Sequence, residues 1–228
     1  HILVSVVIIV SVMAYFFYAS YSIRACIYMR VSVEENQEKI IAITFDDGPD
    51  PIQTPKVLKV LREKHIPACF FCIGNKIKGN EELLRQIIKE GHRIGIIPSP
   101  IPAIFPLYTF KRMCHDLITC QQELEKSDRP TGPMVPAAFG VTNPTLAKAV
   151  RRLGYIPIGW NIRTLDTQQP TPEKIIKRIK KRLVPGSILL LHDRMPDSDR
   201  LLVQVLDFIE KEGYTVVALD RLIKDMTK

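Results

Sequence analysis

A deformed (β/α) barrel of about seven parallel strands is the fold class this sequence predicts, on three observations. Apolar runs of four to six residues alternate with amphipathic stretches of ten or more, the rhythm of parallel strands joined by helical crossovers. No glycine-rich dinucleotide loop follows the first run, which disfavours an open nucleotide-binding sheet. Polar side chains gather at run ends in three distant places (Asp46-Asp47, Asn161 to Asp166, His192-Asp193), as they do at the mouth of a barrel.

Taken in order, residues 2–23 carry no charged side chain, and a helix of that length at 1.5 Å per residue covers a bilayer core of about 30 Å. Residues 1–30 are therefore expected to be a transmembrane or signal-anchor segment with its edge, and 31–38 a polar linker. The barrel domain is expected over 39–228. Arg24 and Arg30 follow the apolar run, which by charge bias alone would keep the following chain in the cytoplasm. Residues before His1 would weigh on that bias as well, and a membrane-anchored, extracytoplasmic domain is the expectation, with both orientations open.

The first strand is expected over 40–45, where Ile40-Ile41-Ala42-Ile43-Thr44-Phe45 reads as a strand buried on both faces. Gly48-Pro49 breaks it and leads to a helix over 54–64. Strands over 68–73 and 93–97 flank a helix over 81–90. A proline-rich stretch follows, in which Ile101, Ile104 and Phe105 are expected either to cover a pocket or to form an apolar lip. Then come a helix over 109–126, a strand over 134–136, a helix over 145–153 and a strand over 156–160. Thr171-Pro172 opens a helix over 172–183 with an N-cap and a first-turn proline. A strand over 187–191, a helix over 200–212, a strand over 215–218 and a short helix over 220–225 complete the chain. Gly91, Gly154 and Gly213 sit where left-handed helix caps are expected.

The net charge is +8, from 32 Lys and Arg against 24 Asp and Glu. The densest basic run, Lys174 to Arg182, alternates with Ile175, Ile176 and Ile179 as a solvated helix face does, and no aromatics interleave with it, so nucleic acid is not expected as a partner. Five cysteines without regular spacing form no disulfide framework; Cys69 and Cys72 flank Phe70-Phe71 and read as small buried hydrophobes.

Asp46 and Asp47 are the chemically informative pair. Two carboxylates side by side at a strand end repel each other unless a divalent metal, a cationic partner or a shared proton relieves them. The alternative is that they only cap a turn by accepting backbone N–H groups.

Thr44-Phe45-Asp46-Asp47-Gly48-Pro49 and Leu190-Leu191-His192-Asp193 resemble the first and last motifs of the polysaccharide deacetylases with a NodB-like homology domain, the carbohydrate esterase family 4 type. The resemblance covers residues 39 to about 223. It implies hydrolysis of acetamide groups on an N-acetylated polysaccharide or peptidoglycan-like glycan, with Asp46 as base, Asp47 as metal ligand and His192 as general acid. Asp166 would tune that histidine, and Trp160, Asn161 and Phe139 would line the binding groove. Zinc or another divalent ion is the family's cofactor, held by one aspartate and two histidines four apart.

The chain departs from this pattern at defined places. After Gly91-His92-Arg93-Ile94-Gly95, Ile97 and Ile101 occupy the two histidine positions, and isoleucine has no lone pair to give a metal. In the third motif, Pro136 stands where the family has the arginine that pairs with the catalytic carboxylate, and Phe139 replaces a tyrosine. No cofactor is therefore expected here. The sequence points to a deacetylase-type barrel with impaired catalysis, a non-catalytic glycan- or protein-binding relative, or a metal-independent hydrolase using Asp46 and His192. His92 and His115 are not expected to replace the missing ligands.

Overall fold

A computed structural model describes residues 38–98, 108–126, 134–136 and 144–223, besides position 11. Strand β1 (Ile40–Gly48) is followed by α1 (Thr54–Glu63), β2 (Cys69–Ile73), a single-turn α2 (Gly74–Ile77), α3 (Glu81–Lys89) and β3 (Arg93–Ile97). Next come α4 (Phe110–Glu125), β4 (Met134–Pro136), α5 (Pro144–Leu153), β5 (Ile156–Ile158), β6 (Ile162–Arg163) and a 3-10 turn (Asp166–Gln168). The chain continues through α6 (Pro172–Arg182), β7 (Ile188–His192), α7 (Ser198–Lys211), β8 (Thr215–Val216) and a second 3-10 turn (Leu219–Leu222).

Every strand pairing among the described residues is parallel. The order β3-β2-β1-β7-β6, with β8 joined to the start of β1, forms one sheet; β4 and β5 form a second pair, and β4 packs against β3. Since β5 leads directly into β6, the strands run 3-2-1-7-6-5-4 round to 3: the predicted deformed barrel. Asp46 and His192 are register partners on β1 and β7, so they share one face and one end.

The sheet has two buried faces. Ile41, Ile43 and Phe45 of β1 pack outward against Val57, Leu58 and Leu61 of α1 and Val205, Leu206 and Ile209 of α7. Ala42 faces inward with Phe71, Ile97, Trp160, Ile158 and Leu190. Each fully buried Val, Leu, Ile or Phe among them contributes about 1.5–3 kcal/mol of transfer free energy. That is why the strands read as unbroken apolar runs with no polar alternation. Cys69 and Cys72 project to opposite faces of β2, both 0% exposed, and burial pushes both thiols well up. Gly95 is required by a close approach: a Cβ there would meet the Phe71 ring and the Met134 carbonyl.

Two elements differ from expectation. The strand expected over 156–160 is two, because the chain breaks at Gly159-Trp160-Asn161 before resuming as β6. Of the terminal helix expected over 220–225, the described residues form a 3-10 turn, Leu219–Leu222. The three expected glycine caps do take positive φ: 86° at Gly91, 69° at Gly154 and 78° at Gly213. On α6, Ile175 and Ile179 are buried while Lys174, Lys177, Lys180, Lys181 and Arg182 are exposed, the solvated face predicted. The expected anchor at 1–30, the linker at 31–37, and Ile101, Ile104 and Phe105 lie outside the described residues. Among the described residues no helix is long and apolar enough to cross a membrane.

Candidate functional site

The C-terminal ends of β1 and β7 build the site. β1 runs past the expected 40–45 to Gly48; Asp46 is register partner of Phe71 and His192, and Asp47 is the unpaired residue where the register shifts before Gly48. Asp46 is 6% exposed, and its Oδ1 has no hydrogen-bond partner among the described residues. Burial first, then the neighbouring charges of Asp47, Asp193 and Asp166, hold its carboxyl well above the usual range, opposed only by Arg163. Arg163 stands on β6 in register with Leu190, an inward position, and its side chain is exposed.

His192 is fixed from behind. Asp166 Oδ1 lies 2.8 Å from its Nδ1, and Asp166 Oδ2 accepts its backbone N–H at 2.8 Å. Thr164 Oγ1 donates to Asp166 Oδ1 at 2.9 Å. Burial alone would raise the Asp166 carboxyl; the hydrogen bonds and charge of His192, with the Thr164 hydroxyl, outweigh it and hold Asp166 below its ordinary value. An ionised Asp166 accepts Nδ1–H and leaves Nε2 facing the mouth, 3.9 Å from Asp47 Oδ2.

Asp47 has left-handed backbone, φ 68°, uncommon for a residue with a side chain. Arg194 Nε and Nη2 donate to its Oδ2 at 3.2 and 3.1 Å, and Lys76 Nζ donates to its carbonyl at 2.7 Å. Of the three forms of relief open to the carboxylate pair, the described residues thus show a cationic partner for Asp47, and a raised proton affinity at Asp46.

Asp193 is 0% exposed and braces the loop behind the site. Thr54 Oγ1 donates to its Oδ2 at 2.5 Å while accepting the Asp50 N–H at 2.8 Å, so the start of α1 is tied to the end of β7. Burial pushes the Asp193 carboxyl up to about 6. A carboxyl raised in the folded state stabilises the fold fully below its unfolded value near 3.9 and loses that stabilisation as pH rises through about 6. Asp193→Asn, which keeps an acceptor for Thr54, is therefore expected to remove a fall in stability of about 3 kcal/mol between roughly pH 4 and 6. Urea melts across that interval measure it.

The structure brings together Asp46, Asp47, Asp166 and His192, and leaves other candidates elsewhere. Asn161 is at the opposite end of β7: its Nδ2 donates to Ser187 Oγ at 2.9 Å and its Oδ1 accepts the Ile188 N–H at 2.9 Å, so it clasps the strand start instead of lining a groove. Trp160 is 4% exposed within the inner apolar cluster, turned inward by the break between β5 and β6, and is no open aromatic wall. Phe139 lies outside the described residues, as does Ile101. Pro136 is buried at the end of β4 beside Ile158. His92 is 5% exposed and accepts the Ala68 N–H at the far end of the sheet; His115 is an exposed residue of α4. Sequence reasoning singled out neither Arg194 nor Thr54 for the site, and only the step from Asp193 into an arginine could have hinted at the first.

The described residues do not suit a metal ion. Ile97 is 2% exposed and sits in the inner cluster with Phe71 and Trp160, one oxygen of Asp47 already carries a guanidinium, and no group of three or more His, Cys, Asp or Glu among the described residues could share an ion.

Comparison with known proteins bears on the family and the fold. The polysaccharide deacetylase family model matches residues 33–158. Peptidoglycan-N-acetylglucosamine deacetylase of Bacillus cereus is 33% identical over 198 residues, 83% of this chain and 90% of that protein. Chitooligosaccharide deacetylase of Sinorhizobium fredii is 29% identical over 196 residues, 80% of this chain and 83% of that one. Among solved structures, PdaA of Bacillus subtilis, a family 4 carbohydrate esterase, superposes with a TM-score of 0.76 at 28% identity, over 86% of this chain and 85% of that one.

Proposed function

The chain belongs to the polysaccharide deacetylase family, and from that premise we propose that its barrel mouth binds N-acetylated envelope glycan while metal-dependent deacetylation is lost or greatly reduced. The relatives act, by their names, on peptidoglycan and on chitooligosaccharides, which supports a glycan of that kind as ligand. The observation that carries the loss of turnover is Ile97: it fills the inner cluster where the family resemblance calls for an imidazole. We place the domain outside the cytoplasmic membrane, tethered through residues 2–23, because such a glycan is met there and those residues are apolar throughout.

A second reading is favoured by one observation, the intact Asp166–His192 pair at 2.8 Å. A histidine held in that way can give a proton to a leaving amine with no metal present, with Asp46 as its partner across the mouth. Acetate release from chitooligosaccharides and peptidoglycan fragments, with and without chelator, tests both readings. The expected result is binding without release above the background of His192→Ala. Chelator-sensitive release at a rate typical of an enzyme would overturn the proposal; chelator-resistant release abolished in His192→Ala would establish the second reading.

A further inference from the structure

We propose that Arg194 is the resident cation of this mouth: its guanidinium holds the Asp47 carboxylate in place of a metal ion, so that carboxylate is charge-paired with no ion bound. This rests on the reading of a mouth without a working metal centre, and adds the group that does the ion's electrostatic work.

Two guanidinium nitrogens converge on one oxygen, at 3.2 and 3.1 Å, and the imidazole Nε2 of His192 stands 3.9 Å from that same oxygen. The left-handed backbone of Asp47, with Lys76 on its carbonyl at 2.7 Å, fixes where the carboxylate points. Arg194 is held from its own side: Nη1 lies 3.5 Å from Met195 Sδ, and the preceding Asp193 is buried and tied to Thr54. The two side chains are only partly exposed, 37% for Arg194 and 29% for Asp47, so their attraction is screened less than that of a surface pair.

A guanidinium keeps its charge at every accessible pH and delivers it through directed N–H bonds. A divalent ion arriving at Asp47 would have to displace those charge-assisted bonds from Oδ2 or bind the other carboxylate oxygen, and in either position it would lie beside a positive charge. The absent histidines and the resident arginine are thus two separate obstacles to a metal, and removing the first leaves the second in place.

The test uses the full chain in four forms: unaltered, Ile97→His with Ile101→His, the same pair with Arg194→Met, and the pair with Arg194→Lys. Each is equilibrated with zinc, dialysed and analysed for bound metal, and zinc affinity is measured by titration. The histidine pair alone is expected to bind zinc at least tenfold more weakly than the form that also lacks Arg194, with Arg194→Lys between them. Equal affinity with and without Arg194 overturns the proposal, as does failure of the Arg194→Met form to gain any zinc. One zinc per unaltered chain would instead overturn the metal-free reading of the mouth. A readout free of metal accompanies these: in chelator, Asp47→Asn and Arg194→Met are expected to cost less stability together than the sum of their separate effects. Strict additivity would show that the pair does no electrostatic work.

Discussion

Gly48→Ala is expected to lower the melting temperature by about 5–15 °C. A Cβ at Gly48 would stand 2.5 Å from Asp193 Oδ2 and 2.7 Å from Oδ1. Those atoms cannot swing away freely, because Asp193 is 0% exposed and bonded to Thr54 at 2.5 Å. Overpacking costs about 1–3 kcal/mol and a broken bond to a charged group about 1.5–3 kcal/mol, while each kcal/mol shifts the midpoint of a domain this size by about 2–4 °C. Calorimetry measures the shift. The cause is checked by Gly48→Ala with Asp193→Ala: removing the carboxyl should make the alanine nearly neutral, a coupling of at least about 1 kcal/mol, and an additive pair would locate the damage elsewhere.

Asp166→Ala is expected to destabilise the fold by about 2–4 kcal/mol and to release His192 from its orientation. It removes the acceptor of the His192 backbone N–H, of the Thr164 hydroxyl and of the imidazole, on a side chain 3% exposed. Asp166→Asn keeps most of the shape and should lose less. The pH dependence has a defined sign. The Asp166 carboxyl is held below its ordinary value in the folded state, so its stabilisation is fully present above the unfolded pKa near 3.9 and disappears as pH falls through the lower folded value. Acid titration of the fold should therefore show a loss below roughly pH 4 that Asp166→Ala lacks. Asp193 acts in the reverse sense and over a higher interval, so the two carboxyls separate cleanly in a pH series.

Much of the frame was legible because parallel strands buried on both faces leave unmistakable apolar runs. The run from Ile40 to Phe45, the helix punctuation at Gly91, Gly154 and Gly213, and the convergence of Asp46 with His192 were all visible in the residues. The break at Gly159-Trp160-Asn161 was not, since an apolar run gives no sign of which residue leaves the sheet. Consequently Asn161 was placed at the mouth when its amide clasps Ser187 and Ile188 at the other end. Trp160 was placed on a groove wall when it fills the interior. Arg194 leaves no mark in the sequence for a different reason: its contact with Asp47 joins residues 147 apart and depends on a left-handed backbone at Asp47 that aspartate adopts only occasionally. Contacts set by backbone strain across such a separation have no local periodicity to read.

The cysteines of the central strand supply a chemical clock. Cys69 and Cys72 sit on opposite faces of β2 at 0% exposure with their thiols pushed up by burial, whereas Cys114 on α4 is half-buried. A maleimide or an aromatic disulfide should modify Cys114 at a rate set by the reagent, and should reach the β2 thiols only in molecules where that strand has opened. Mass spectrometry of the native protein over hours would then resolve fast and slow adducts within one sample. The slow rate at Cys69 and Cys72, separated by peptide mapping from that at buried Cys120, gives the free energy, or at high reagent the frequency, of opening at the barrel's centre with no label introduced.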